Sequence, residues 1–285
     1  MDFDKLFAGI GLADIGIKSF YELHMRSSDN AFAESFTRAC EVFDGGDIPF
    51  GEYIAEFAER ENVPVEVLNL YIYMRMCERS VAIYEEKGID IEIFYATMKE
   101  VVERCWLNFD ETGIYGIPQE IYRRWFRRYI GCTIFRLGRL NFDIAKSIYD
   151  TEIEGIKVCK DDPCISVHIP GGSRLDEDEC EAAYDQARWF FKKYFNMNPP
   201  VFFCYSWLIQ PWLAEVLPEQ SLISRFQGRY KIIDFVDDPG DVLRWVFPER
   251  CENPKDYPEN TTIQRAVKER ILRGDIIGYG SGVRL

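Results

Sequence analysis

The sequence predicts a two-part chain. An all-helical N-terminal domain spans residues 1–118, and an α/β (α+β) domain spans residues 119–285, with a mixed sheet flanked by helices. Three observations carry this expectation. Apolar residues recur at helical spacing as far as the Gly113–Pro118 break. Strand-length runs of β-branched and aromatic residues take over from Ile130. And 285 residues suffice for two ordinary domains, each with its own core.

Within the first part, Phe32, Phe36, Cys40 and Phe43 follow i, i+4, i+8, i+11, and Ile91, Phe94, Met98, Val101 and Cys105 repeat the pattern. Between them Val65–Tyr84 is apolar nearly all round, which predicts the buried central helix of a bundle. Pro64 stands at its start and Pro118 opens a further helix, positions where a missing N–H costs nothing. Gly45-Gly46-Asp47 and Gly113–Pro118 read as short connections.

In the second part, Cys132–Phe142 reads as one strand with a bend at Gly138. Gly155–Cys159 and Cys164–Ile169 read as strands joined by a hairpin turn at Lys160–Pro163. Asp176 and Glu179 form a capping pair that opens a helix, and Pro199-Pro200 closes that unit. Val201–Tyr205 is a strand, Pro211–Leu217 a short helix, Tyr230–Phe235 a strand, Thr262–Arg273 a helix and Ile276–Tyr279 a closing strand. Strand, helix, strand across 164–205 predicts a parallel crossover unit whose two strands end on the same side.

Composition narrows the partners. Acids number 48 and bases 34, a net charge of −14, which argues against binding nucleic acid or an anionic membrane through the overall field. The longest apolar stretches, such as Val201–Cys204, fall far short of a membrane span of about 20 residues. The acidic N-terminus does not look like a secretion signal, so the nine cysteines are expected to be reduced thiols in a cytoplasm. There are only two histidines, His24 and His168, and no HExxH or CxxC; no metal is expected. Gly9-Ile10-Gly11 follows no strand and GxxxxGK[ST] is absent, which argues against a Walker-type nucleotide site.

Three segments carry chemistry. Ser166–Ser173 runs from a strand through a lone histidine and a Pro-Gly-Gly turn into a helix, and can present backbone N–H groups to an anion. It can equally be a tight turn whose histidine satisfies buried backbone. The acids Asp176, Glu177, Asp178 and Glu179 would repel a phosphate at the helix tip. Cys204–Trp212 places thiol, hydroxyl and indole groups at a strand C-terminus, where α/β sheets bind ligands, or else it edges an aromatic core. Arg123, Arg124, Arg127, Arg128, Arg136 and Arg139 form a basic island able to grip phosphates, or to pair with the protein's own acids.

Together, Phe135–Leu140, Val167–Gly172, Cys204–Leu208 and Ile223–Phe226 resemble the bacterial two-domain acyltransferase-like family, with a helical N-acyltransferase N-terminal domain and a GNAT-like C-terminal domain. The resemblance spans most of the chain and is strongest over 120–236. It implies a mixed sheet splayed open for the arm of an acyl-CoA co-substrate, and a small-molecule acyl acceptor with an amine or hydroxyl. Ile169–Arg174 departs from the Q/R-x-x-G-x-G/A loop of working GNAT enzymes. Acyl transfer needs a base, an oxyanion donor and an acid for the leaving thiolate. His168 is the expected base, and Tyr205 or Ser206 the acid. Ile169, Gly171, Gly172, Ser173, Arg174 and Trp207 are expected to hold the cofactor. A non-catalytic ligand-binding protein on the same fold is the alternative. A cysteine hydrolase using Cys204 and His168 is a third, without the glycine signature of a strand–nucleophile–helix turn.

Overall fold

The computed structural model describes residues 1–45, 49–118, 123–171, 174–248 and 251–285. It contains two compact units, Met1–Arg136 and Leu137–Leu285. The division falls beyond the 118/119 boundary expected from patterning: the helix Arg123–Ile130 and the residues as far as Arg136 belong with the helical unit.

The first unit holds α1 (Phe3–Ile10), α2 (Asp14–Met25), α3 (Asn30–Gly45), α4 (Phe50–Glu61), α5 (Val65–Lys87), α6 (Ile91–Thr112) and α7 (Arg123–Ile130). As the near-continuous apolar run predicts, α5 is the axle: α2, α3, α4, α6 and α7 all pack on it. Its buried polar groups are answered by the chain segments around it. Asn69 Nδ2 donates to Ile117 O at 3.0 Å and Ser80 Oγ to Ile130 O at 2.9 Å, so both buried donors keep a partner. No helix among the described residues is long and apolar enough to cross a membrane.

The second unit is built on β1 (Ile134–Leu137), β2 (Leu140–Lys146), β3 (Thr151–Ile153), β4 (Ile156–Val158), β5 (Pro163–His168), α8 (Glu177–Phe195), β6 (Phe202–Ser206), α9 (Leu213–Val216), α10 (Leu222–Gln227), β7 (Lys231–Val236), α11 (Gly240–Val246), α12 (Thr262–Arg273) and β8 (Tyr279–Arg284). Six strands form one sheet in the order β1-β2-β5-β6-β8-β7, and β3-β4 is a separate hairpin. The β5 and β6 strands are parallel, joined by α8 as expected, and the other recorded pairings are antiparallel.

Several local expectations change. Cys132–Phe142 is not one strand: Gly138, with φ +59°, turns the chain between β1 and β2, a conformation glycine adopts without strain. The strand at 156–158 pairs with β3, not with β5, so Lys160–Pro163 is no hairpin turn; it carries the chain from the small hairpin back to the main sheet. Asp176 occupies the N-cap of α8, but its side chain accepts no capping hydrogen bond; Arg174 draws it into an ion pair at 3.5 Å instead. The closing strand begins at Tyr279, because residues before it serve as approach to the sheet.

One sheet face is closed by α8. Phe142 and Phe202 pack edge-on against Tyr184, at 5.6 and 5.3 Å between ring centroids, and Phe142 also meets Phe191. Close approach on this side requires glycine in β8: a Cβ at Gly280 would lie 2.4 Å from Ile209 O, and one at Gly282 2.7 Å from Tyr230 Cβ. The opposite face is covered over part of its length by the β3–β4 hairpin, in a cluster of Val158, Cys164, Val201, Phe203 and Val283 with Ile153 and Tyr149 against it.

Candidate active site

Strand alternation decides which candidates meet. Asn141 pairs with His168 and Asp143 with Ser166 across β2–β5, and Ser166 pairs with Phe203 across β5–β6. Continuing that register sets His168 beside Tyr205, on the face away from α8, with adjacent strands about 4.8 Å apart. The recorded β5–β6 ladder ends at Val167↔Cys204, before His168 and Tyr205, so the parallel pair stops bonding where both strands run out. This is the position where open α/β sheets take ligands.

His168 is partly buried, and its Nε2 lies 3.8 Å from Oδ2 of Asp143, whose side chain is 3% exposed. The distance is too long for a hydrogen bond, so the carboxylate stands beside the ring without bonding it. Asp143 is thus a site residue that the sequence did not single out; an isolated Asp within β2 carries no signal until pairing sets it diagonally across from the histidine. The same carboxylate adds to burial in pushing the Cys164 thiol up to about 12.

Tyr205 is half-buried and its phenol is raised well above its ordinary value, first by burial and then by Tyr149, Cys164 and Asp234. It is therefore a protonated donor at neutral pH. Ser206, the next residue, alternates to the other face, where it pairs with Gly280 and its Oγ caps the following turn by accepting from Leu208 N at 3.1 Å. The structure does not bring Ser206 to His168. Trp207 begins that turn and packs against the small core of Trp212, Val242 and Phe247. Cys204 also faces α8, fully buried, its thiol pushed to about 12 by burial against an opposing hydrogen bond from Tyr230. A Cys204–His168 pair is thereby excluded: the two side chains lie on opposite faces, and the thiol is held protonated.

The turn after β5 is open. Ile169 is partly buried, Pro170 buried, and Gly171 exposed with nothing within 4 Å of a Cβ placed there. Gly172 and Ser173 lie outside the described residues. Arg174 is exposed; its carbonyl accepts from Arg139 Nε at 2.7 Å. The acids that open α8 are met by arginines: Arg225 holds Glu177 at 2.7 Å, and Glu181, a turn further on, takes Arg229 at 2.6 Å and Arg284 at 3.3 Å. Of the four acids from Asp176 to Glu179, two are paired in this way, Asp176 with Arg174 and Glu177 with Arg225. The basic island is spent internally where it is described. Arg127 Nε donates to Phe43 O at 2.6 Å, Arg128 stacks on Trp125, and Arg139 is buried; the side chains of Arg123 and Arg124 lie outside the described residues.

A second polar group on the same face was not anticipated. The Tyr149 hydroxyl lies 2.9 Å from Asp234 Oδ2 and 3.0 Å from the buried Ser281 Oγ, and its ring packs against that of Tyr205, 6.2 Å between centroids and 20° between planes. Ser281 pairs with Tyr205 on one side and with Asp234 on the other, so four strands place a polar row along one rung. Among the described residues no group of three or more His, Cys, Asp or Glu side chains is gathered as a metal would need.

Residues 1–132 match the model of the N-acyltransferase N-terminal domain, and residues 134–284 that of the GNAT-like C-terminal domain. No curated protein matches the sequence. Similar solved structures are acyltransferases. One in complex with decanoyl-CoA and teicoplanin has TM-score 0.71 and 17% identity, over 98% of this chain and 86% of that one. A mutant in complex with octanoyl-CoA has TM-score 0.72 and 18% identity over the same shares. A third, in complex with decanoyl-CoA, has TM-score 0.64 and 18% identity over 99% of both chains. At these identities the likeness is one of fold. With the second model covering more than half of its residues, the chain belongs to the family built on the GNAT-like C-terminal domain, here preceded by an N-acyltransferase N-terminal domain.

Proposed function

We propose that this protein transfers an acyl group from acyl-CoA to an amine or hydroxyl of a small molecule. The observation that carries this is the juxtaposition of His168, backed by Asp143, with Tyr205 at the ends of a parallel strand pair whose ladder has stopped. The fold relatives in complex with acyl-CoA support the same donor. The thioester would lie between β5 and β6. Ile169, Gly171 and Arg174 would face its phosphates, with Asp176 and Glu177 already paired to Arg174 and Arg225.

In this reading His168 takes the proton from the acceptor nitrogen or oxygen as that atom bonds to the thioester carbon. The Asp143 carboxylate lies 3.8 Å from Nε2 as the ring takes up that proton. As the carbon–sulfur bond breaks, Tyr205 gives its proton to the departing thiolate, leaving an amide or ester and free CoA thiol. His168 then returns its proton through solvent to Tyr205, and the balance closes. No covalent enzyme intermediate is required, consistent with the inert position of Cys204. Ser206 and Trp207 have no part in this scheme, since both are committed to the turn after β6.

The test is titration of decanoyl-CoA into the protein by calorimetry, followed by thiol release from decanoyl-CoA with teicoplanin and a panel of primary amines. Binding with acceptor-dependent CoA release is expected. Binding without release from any acceptor would make this a ligand-binding protein that keeps the fold, and no binding at all would remove the acyl-CoA assignment.

A further inference from the structure

We infer that Tyr149 is a positioning residue for Tyr205, held in place by Ser281 and Asp234; the inference rests on the acyl-transfer reading above. Tyr205 presents a difficulty for that reading. Among the described residues its hydroxyl makes no hydrogen bond, and its ring contacts the single ring of Tyr149. A phenol left unbonded is free to give its proton to a ligand, but nothing at its own oxygen fixes where that oxygen sits. A proton donor must be held within a fraction of an ångström of its target.

Tyr149 supplies the missing constraint. Its hydroxyl has one proton and two neighbours, and Asp234, a carboxylate, only accepts. The one consistent assignment is Ser281 donating to Tyr149 and Tyr149 donating to Asp234. Asp234 is fixed in turn, its Oδ1 accepting from Phe235 N at 2.8 Å. Ser281 is 1% exposed, on the strand hydrogen-bonded to Tyr205 itself. The anchors come from β7 and β8, 85 and 132 residues from Tyr149. The Tyr149 ring is thereby locked over the sheet and set nearly parallel to Tyr205. An Asp on an edge strand that forms no ion pair among the described residues, and bonds a phenol instead, fits a role in holding that phenol better than a role in surface charge.

A double-mutant cycle tests this. Acyl transfer from decanoyl-CoA to the fastest primary amine is measured for wild type, Tyr149→Phe, Tyr205→Phe and the double variant. Tyr149→Phe keeps the ring and loses both anchors. It is expected to lower kcat about 10-fold with KM for decanoyl-CoA unchanged, against about 10²-fold for Tyr205→Phe, the low end for a lost general acid. The double variant is expected to match Tyr205→Phe alone, because Tyr149 acts only through it. Asp234→Asn, which keeps an accepting oxygen, should stay near wild type, and Asp234→Ala should behave as Tyr149→Phe. The exposed position of Asp234 keeps this arm available if Tyr149→Phe fails to fold. Losses that multiply in the double variant, an unchanged kcat in Tyr149→Phe, or a fall in melting temperature alone would overturn the inference and leave the acyl-transfer reading standing. A wild type that releases no CoA from any acceptor would overturn both.

Discussion

The two faces of the central sheet are made by the same strands and are opposite in character. Toward α8 stand Phe142, Phe202 and Cys204, fully buried among the rings of Tyr184 and Phe191. Away from it stand Asn141, Asp143, Ser166, His168, Tyr205 and Ser281. Cys204 and Tyr205 are neighbours in sequence yet belong to different environments. Alternation lets one strand spend half its residues on stability and half on chemistry. The hairpin β3–β4 covers the apolar part of the second face, and Tyr149 and Tyr205 pack against that same cluster.

The contrast is broken most directly at His168. His168→Ala should lower acyl transfer by ~10²–10⁴-fold, the range of a lost general base, with the melting temperature within a few degrees of wild type. Unchanged turnover in a folded variant would take the chemistry away from this face. The closed face should respond in stability instead. Phe202→Ala should cost ~3–5 kcal/mol in a urea melt, whereas Tyr205→Phe, which deletes an unbonded hydroxyl, should cost under about 1 kcal/mol. Similar losses for the two would show the faces to be alike.

Thiol labelling sharpens the same point. In the native protein the exposed Cys159 and Cys251 should react first, and Cys204 only on unfolding. Early modification of Cys204 would mean that the α8 side opens. The smallest effect concerns the rim of that side. Burial acts to raise the Glu181 carboxyl, but Arg284 and Arg229 outweigh it and hold the group below its ordinary value. Its contribution to stability is therefore complete above ordinary carboxylate values and is lost as pH falls through the depressed one. Glu181→Gln should flatten this acid limb slightly, since the carboxylate is 44% exposed and solvent screens the pairs. An acid limb identical to wild type would show the pairs to be idle.

The change from helical to strand patterning was legible because period is a local property. So was the crossover from Cys164 through α8 to the strand that ends near Tyr205. What stayed hidden was pairing. Gly138 signals a bend whether the chain kinks or reverses, and only the partner strand decides. The strand at 156–158 gives no sign that it would choose β3 over β5. Asp143, Tyr149, Asp234 and Ser281 are ordinary in their own segments and acquire meaning from neighbours up to 132 residues away. Ser206 and Trp207 show the same limit from the other side: a strand end rich in polar and aromatic groups is visible in the sequence, but the step from one residue to the next reverses the face.

The glycines of β8 bear on how the site could be changed. Gly280 and Gly282 admit no side chain, because Ile209 and Tyr230 already occupy the space. Between them, Ser281 points to the polar row. A randomised library along this strand would therefore have a narrow usable alphabet: positions 280 and 282 would return glycine, 281 a small hydroxyl residue able to hold Tyr149, and diversity would survive at 279.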